Sequence, residues 1–153
     1  MVSPRRQRGF TLPELMTVLA VMAILGAIAA PAYGNWVAAM RARSTGTDLH
    51  TALTMARSEA IKRNAEVTLA PGASGWLAGW SIAAPGDATR VLHSHPAAAV
   101  AAITGPDSVT YLPNGRVKGS TLPAFEIAGK SGAELRCVSV DLSGRPMQTQ
   151  SAC

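Results

Sequence analysis

The chain has 153 residues, of which 48% are apolar and only 15% are charged. This composition excludes a disordered chain and indicates one modest domain joined to a segment that faces lipid. The formal net charge of +5 is weak evidence for a polyanion partner, because three of the basic residues precede the apolar run and the remaining 11 basic and 9 acidic residues give only +2.

The N-terminal third contains a long uncharged segment. From Leu15 to Met40 there is no charged residue, a run of 26 positions, which is long enough to cross a bilayer as a helix. Arg5, Arg6 and Arg8 precede it, and such basic residues keep their end of a membrane segment in the cytoplasm. We therefore expect residues 36–153 to form a soluble head on the other side of the membrane.

One acidic residue, Glu14, lies at the start of this apolar stretch. A carboxylate is costly in lipid and is usually retained because it has a partner. Cleavage of the Gly9–Phe10 bond would create such a partner, since the new amine of Phe10 on one subunit can pair with Glu14 of a neighbour.

The segment GFTLPEL resembles the signature of type IV prepilins, with a basic leader, a glycine, a phenylalanine and a glutamate four residues further on. The resemblance implies that a prepilin peptidase cuts after Gly9 and N-methylates Phe10. Pro13 departs from the usual aliphatic residue, but proline is tolerated in the first turn of a helix. The predicted domains are a leader (1–9), a transmembrane and assembly helix (10–35) and the head (36–153).

Two other interpretations of the N-terminus remain. An ordinary secretory signal would use the small residues of AIAAPA for cleavage, but Glu14 is a poor residue for the apolar core of a signal, and the helical pattern continues past that site. A plain single-pass anchor is the other alternative.

The helix is expected to continue well beyond the membrane segment. Pro31 removes one hydrogen bond from it, and pilin helices carry a similar proline where they curve. Further on, apolar residues at helical spacing predict an amphipathic half-helix that ends near Asn64 and packs on a sheet; these residues are Leu49, Ala52, Leu53, Ala56 and Ala60.

After Asn64 the pattern changes to short strands separated by turns. Residues 95–105, which are rich in alanine, are predicted as a loop or irregular strand. The predicted fold class is α+β, with the long helix packed on a small antiparallel sheet formed by residues 65–153. The predicted strands are Val67–Ala70, Trp76–Ile82, Arg90–His93, Val109–Leu112, Ala124–Ile127, Glu134–Leu142 and Pro146–Thr149.

Three segments of the head resemble the GspH/FimT group of minor pilins and pseudopilins. They are ARSEA at 56–60, GWLAGWSI at 75–82 and the C-terminal RCVSVDLSGRPMQTQSAC. The last resembles FimT/FimU-type minor pilins, in which a cysteine precedes a strand, a Ser-Gly-Arg turn follows and a second cysteine comes last. The alternative is a type II secretion pseudopilin of the H type, which more often lacks this cysteine pair.

Cys137 and Cys153 are the two cysteines of the chain. They are either free thiols of a cytosolic protein or a disulfide of an exported one. Export of the head favours the disulfide, which would close a short loop and hold the C-terminal tail.

Catalytic and metal-binding motifs have little support. His93 and His95 form an H-x-H pair, which is two legs of a metal site if His50 or an acidic residue joins it, but two exposed loop histidines are the simpler interpretation. No P-loop or dinucleotide fingerprint is present, and we expect no enzyme, metal or cofactor. Trp76 and Trp80 either stack on bases or sugars or pack in the core, which their spacing on a strand favours.

DNA binding is a further hypothesis. FimT-type minor pilins of naturally transformable bacteria bind DNA through a C-terminal Gly-Arg-x-Arg motif, and this chain has Gly-Arg-Pro-Met at 144–147, so only Arg145 is present. Arg116 and Lys118 lie on another turn with two-charge spacing, and Lys130 and Arg136 add to it if they lie on the same side. The alternative is that these are solvated turn charges.

The resemblance therefore implies a structural role as a minor pilin that primes assembly or lies at the filament tip. The implied partners are other minor and major pilins, prepilin peptidase, the inner-membrane assembly platform and, as a further candidate, DNA. The expected location is the bacterial inner membrane with the head in the periplasm, and then a pilus or pseudopilus.

Overall fold

The computed structural model describes residues 10–130 and 134–153. Within these ranges the chain forms one long helix followed by eight strands, and it divides after Trp36 into two units. The predicted leader, including Gly9, lies outside the described residues.

Helix α1 runs from Leu12 to Arg63. At its start, the Glu14 carboxylate accepts a hydrogen bond from the backbone N–H of Thr11 at 3.4 Å, which is the reciprocal half of a capping box. The helix continues through Pro31, although proline has no N–H and so leaves the carbonyl four residues earlier without its helical donor.

The C-terminal end of α1 has a defined stop. Asn64 adopts a left-handed conformation with φ of 49°. The N–H of Asn64 donates to the Ile61 carbonyl and that of Ala65 to the Ala60 carbonyl, both at 3.2 Å. These are the two hydrogen bonds of a Schellman motif, which satisfies the last carbonyls of a helix and turns the chain away from its axis.

The strands of the head form two four-stranded antiparallel sheets. The first has the order β3-β2-β1-β5 and the second β4-β6-β7-β8. The expected α+β class is confirmed, with the strands divided between two sheets where the sequence suggested one, and β4 lies in the segment predicted as a loop or irregular strand. The strands are β1 Val67–Gly72, β2 Gly75–Ala84, β3 Asp87–His95, β4 Ala102–Thr104, β5 Val109–Tyr111, β6 Ala124–Ala128, β7 Leu135–Val140 and β8 Pro146–Thr149.

The core of the head lies between α1 and the two sheets. The helix contributes a fully buried stripe of mostly small residues at spacings of three and four, as an amphipathic helix does when one face meets a core. Both sheets contribute large apolar side chains to the same cluster. The stripe consists of Ala42, Leu49, Ala52, Leu53, Ala56 and Ala60, and the sheet residues include Leu69, Ile82, Tyr111, Phe125, Ile127 and Val138.

Both tryptophans of β2 belong to this core. Trp76 lies edge-on to Phe125 with ring centroids 4.8 Å apart, and its indole N–H donates to the Pro106 carbonyl at 2.7 Å. Trp80 is 2% exposed and stacks on the ring of His95 at 4.1 Å. Neither ring has a free face for a base or a sugar, so the core-packing interpretation is the one the structure supports.

Gly79, between the two tryptophans, allows β2 to pass close to the end of β3. Its φ is +98°, and a Cβ built on it would lie 2.2 Å from the carbonyl oxygen of His95. A side chain at this position is therefore excluded both by backbone conformation and by space.

We predict that Gly79→Ala destabilises the head by roughly 2–5 kcal/mol, since backbone strain and overpacking combine there. Gly75→Ala is the matched control, because its φ of +89° is similar but no heavy atom lies within 4 Å of its built Cβ; we expect a loss of about 1 kcal/mol there. Urea unfolding, monitored by tryptophan fluorescence, measures the free energy of unfolding of both variants. Equal losses in the two variants would contradict the close-approach argument.

Candidate functional site

The helix of the first unit presents an apolar surface without a core of its own. None of the most apolar 18-residue window of α1 is buried in the isolated chain. Phe10 is 82% exposed, and Ile28 and Trp36 are exposed as well. A surface of this size in water would be a strong driving force for association or membrane insertion.

Glu14 lies at the start of this surface. Its one hydrogen bond among the described residues, to the N–H of Thr11, is 3.4 Å long, so the carboxylate keeps acceptor capacity for a stronger donor. The amine of Phe10, if it is freed by cleavage, is such a donor.

In the head, a disulfide joins Cys137 of β7 to Cys153 in the C-terminal tail, with their Cα atoms 5.1 Å apart. The edge strand β8 lies beside β7, where Cys137 pairs with Thr149. On the helix side, His50 Nε2 contacts the carbonyl of Pro146 at 3.2 Å. The tail is therefore attached to β7 covalently as well as through the sheet.

Two turns that carry arginines predicted to bind DNA lie against each other. One is the turn at 113–116, after β5, and the other is the turn at 141–145, between β7 and β8. A Cβ built on Gly144 would lie 2.0 Å from the carbonyl oxygen of Gly115, so the two backbones are in direct contact. Arg116 Nε donates across this contact to the carbonyl of Leu142 at 3.3 Å.

Arg57 of α1 is hydrogen-bonded to both turns. Its Nε donates to the Gly115 carbonyl at 3.0 Å and its Nη2 to the Ser143 carbonyl at 3.1 Å. We call Arg57, Arg116 and Arg145 the arginine cluster; Arg116 and Arg145 are exposed, and Arg57 is half-buried. Helical periodicity leaves Arg57 off the apolar stripe and gives no sign of this role, because the two turns that Arg57 joins are distant in sequence.

An aspartate shapes the Arg145 turn. The hydroxyl of Ser143 donates to the Asp141 carboxylate at 2.7 Å and the backbone N–H of Arg145 donates at 2.8 Å. These hydrogen bonds, together with the positive charge of Arg145, lower the pKa of Asp141. The carboxylate therefore stays ionised and offsets part of the positive charge of the cluster.

Three of the proposed DNA-binding residues do not join the cluster. Lys118 is paired with Glu66, with Nζ and Oε2 2.8 Å apart. Lys130 precedes β7 whereas Arg145 follows it, so the two lie towards opposite ends of this strand. Arg136 is 7% exposed and its guanidinium contacts Glu134 at 3.3 Å; it is buried and unavailable to a DNA backbone. Arg136 therefore does not belong to the exposed surface around Arg116, and a role of Lys130 in DNA binding stays a prediction.

The histidines have separate structural contacts. His95 stacks on Trp80, and its Nε2 lies 3.4 Å from the Asp48 carboxylate. His50 contacts Pro146. Over residues 10–130 and 134–153, no group of three His, Cys, Asp or Glu side chains is arranged to hold a metal ion.

An apolar segment that begins with Phe-Thr-Leu-Pro-Glu and continues as a helix, whose later half is the core helix of an antiparallel head, defines a type IV pilin-like subunit. Comparison with known families supports this assignment. A family described as the prokaryotic N-terminal methylation motif matches residues 4–30, and one described as Type II transport protein GspH matches residues 45–144. The chain belongs to the GspH family of type IV pilin-like proteins.

The fold is also similar to that of a solved minor pilin. Two crystal forms of the type IV minor pilin FimU from Pseudomonas aeruginosa (strain PAO1) match with a TM-score of 0.60 each. They are 25% and 24% identical to this chain over 72% of its length, and the matches cover 91% and 96% of the FimU chains. Membership of this family implies assembly with other pilins and processing by prepilin peptidase, in a structural role.

We predict that removing the disulfide, by the paired change Cys137→Ser and Cys153→Ser, lowers the free energy of unfolding of the head by roughly 3 kcal/mol. The physical reason is that a bond between residues 16 apart in sequence restricts the unfolded chain. Urea unfolding with and without a reductant measures this, and the double variant is the control that a reductant should leave unchanged. If reduction of the wild type left its unfolding midpoint in place, the disulfide would have no stabilising role.

Proposed function

We propose that this chain is a minor pilin of a type IV pilus, cut after Gly9, N-methylated at Phe10 and assembled through its apolar helix. The observation that carries the proposal is that the stretch from Phe10 to Trp36, which is helical from Leu12 onward, exposes an apolar surface with a single carboxylate, Glu14, at its start. Before assembly the lipid bilayer shields this apolar surface from water. After assembly the helices of neighbouring subunits shield it.

The two environments place different demands on Glu14. In a single subunit its hydrogen bond to Thr11 keeps the carboxylate partly satisfied. In a filament the methylated amine of Phe10 on a neighbour is a cation, so its hydrogen bond to Glu14 adds the attraction between two opposite full charges, which the backbone N–H of Thr11 does not supply. Pairing of Glu14 with this amine would set the axial position of each new subunit. Pro31 would let the helix adapt to its neighbours, since the carbonyl it leaves free weakens the helix there.

Two features support a pilus minor pilin over a secretion pseudopilin of the H type. The first is the tail disulfide between Cys137 and Cys153, and the second is the similarity to FimU. The subunit would prime assembly or lie at the tip, with residues 1–9 as leader, 10–35 as the assembly helix and 36–153 as a periplasmic head. The inner-membrane platform and the major pilin are its proposed partners. Deletion of the gene, scored for piliation and for protein secretion together, separates the two roles.

We predict that Glu14→Gln leaves processing intact but lowers incorporation into sheared filaments at least about tenfold, the loss of one charge-assisted interaction in an apolar environment. Mass spectrometry of the membrane fraction reads the start residue and its methylation, and immunoblots of sheared filaments read incorporation. Glu66→Gln, on the exposed surface of the head, is the control and should assemble normally. Normal incorporation of Glu14→Gln, or an uncut start in the wild type, would refute the assembly mechanism.

DNA binding is a second candidate function, which the contact between the two arginine turns favours. The Gly-Arg-x-Arg pattern lacks its second arginine here, but the packing of Gly144 on Gly115 brings the turn of Arg116 beside that of Arg145. Two exposed guanidinium groups on adjoining turns can contact neighbouring phosphates. Arg57 would hold the turns in place without contacting DNA itself.

For the DNA hypothesis we predict a salt-sensitive gel shift by the head, residues 36–153. Arg116→Ala and Arg145→Ala should each weaken binding several-fold and reduce the slope of log affinity against log salt by about 0.9, the change expected for one lost phosphate contact. Arg90→Ala removes the same charge from β3 and should have little effect. The strands β3 and β5 are the two opposite edge strands of the first sheet. A head that shows no salt-sensitive shift, or equal losses in all three variants, would exclude a DNA role for the arginine cluster.

A further inference from the structure

A small polar cavity lies between α1 and the β7–β8 hairpin, away from the arginine cluster. Its volume is about 220 Å³, below the range of roughly 300–1,000 Å³ typical of sites for drug-sized ligands. A small ion fits such a space better than an organic cofactor does. The lining residues are Arg43, Thr47, Arg136, Gln148, Thr149 and Gln150.

Arg136 is the residue that most needs a ligand here. Its side chain is 9% exposed, and Glu134, which is itself partly exposed, contacts only its Nη2, at 3.3 Å. The Nε of Arg136 is buried without a hydrogen-bond partner among the described residues. A buried guanidinium with an unpaired N–H is costly, and buried charges are normally paired.

The fold brings further donors to the same place. Gln148 lies opposite Val138 on the β7–β8 ladder, and because side chains alternate along a strand, Arg136, Val138 and Gln148 face the same side of the sheet. Gly46 of α1 leaves room for the amide of Gln148, since a Cβ built there would lie 2.5 Å from its Nε2. The lack of a side chain at this helix position therefore allows the amide to reach the cavity wall.

The chemistry of the lining selects the ligand. Two guanidinium groups, Arg43 from the helix and Arg136 from β7, give the lining two positive charges, and the amides of Gln148 and Gln150 add uncharged donors from β8 and the tail. A planar carboxylate is matched by one guanidinium fork, whereas donors that converge from three directions suit a tetrahedral oxyanion. The Thr47 hydroxyl donates to the Arg43 carbonyl at 3.0 Å, so it forms part of the wall.

We propose that this cavity binds a phosphate group, held by Arg43 and Arg136 and by the amides of Gln148 and Gln150. The phosphate is either free inorganic phosphate or the headgroup of an anionic phospholipid, which offers the same tetrahedral oxyanion. The ligand contacts the part of the Arg136 side chain that lines the cavity and ties α1 to the tail that the disulfide holds. This site goes beyond the proposed assembly role, which does not require it.

The test is equilibrium dialysis of labelled inorganic phosphate against the full chain in dodecyl maltoside, at an ionic strength held constant with chloride. Arg43→Gln should lower the affinity about tenfold or more, as loss of a charge-assisted hydrogen bond does. Arg41→Gln is the matched control, because it removes the same charge from an exposed position of α1 that does not line the cavity; its affinity should stay within about twofold of the wild type. Arg136→Gln should abolish binding, and Arg43→Gln covers the case in which that buried substitution fails to fold.

A second arm separates the two sources of the phosphate. Thermal unfolding of the wild type, Arg43→Gln and Arg41→Gln is measured with short-chain phosphatidylglycerol. The same measurement with diacylglycerol of the same acyl chains, which lacks the phosphate, is the control. If the thermal unfolding midpoint rises with phosphatidylglycerol but not with the lipid that lacks phosphate, and if the rise requires Arg43, the ligand is a lipid headgroup. If inorganic phosphate binds and its binding requires Arg43, the ligand is the free ion. The proposal is overturned if neither ligand binds, or if Arg43→Gln and Arg41→Gln behave alike.

Discussion

The buried stripe of α1 is the constraint on which the whole head depends. Both sheets pack their inner faces on the same face of this helix, from Ala42 to Ala60, where the stripe consists of four alanines and two leucines and where Gly46 is buried beside it. Small side chains let two layers of strands approach one helix closely, and the tryptophans and phenylalanine of the sheets fill the remaining space. Larger side chains along the stripe would push the sheets away from the helix. The contacts between elements distant in sequence would then be lost.

The contacts that matter most for function depend on this packing. Arg57 lies one position after the buried Ala56, and from there it reaches the carbonyls of Gly115 and Ser143. Arg43 and Thr47 stand beside the buried Ala42 and Gly46 at the other end of the stripe. The two arginine-bearing regions of the head thus belong to opposite ends of one helical face, where one faces exposed turns and the other a small polar cavity.

Local sequence patterns predicted the elements of this fold better than their assembly. The helical stripe, the turn residues after Asn64 and the alternation of β7 all have short-range causes, so the helix and most strands were predictable. The division into two sheets depends on which strands pair, as β1 does with β5 across 36 intervening positions, and no short-range signal carries that information. For the same reason charge spacing along the chain grouped Arg116 with Lys118, Lys130 and Arg136, whereas the structure groups Arg116 with Arg57 and Arg145. The cavity at Arg136 was missed because its donors come from three elements.

The hydrogen bond between Glu14 and Thr11 separates two events that would otherwise have to coincide. A carboxylate that had no local donor could be tolerated in lipid only while a neighbouring subunit supplied one. Since the chain provides its own weak substitute at 3.4 Å, a cut subunit would, in the proposed assembly mechanism, wait alone in the bilayer and then exchange that contact for a stronger one. In that mechanism the timing of subunit supply would be uncoupled from the timing of filament growth.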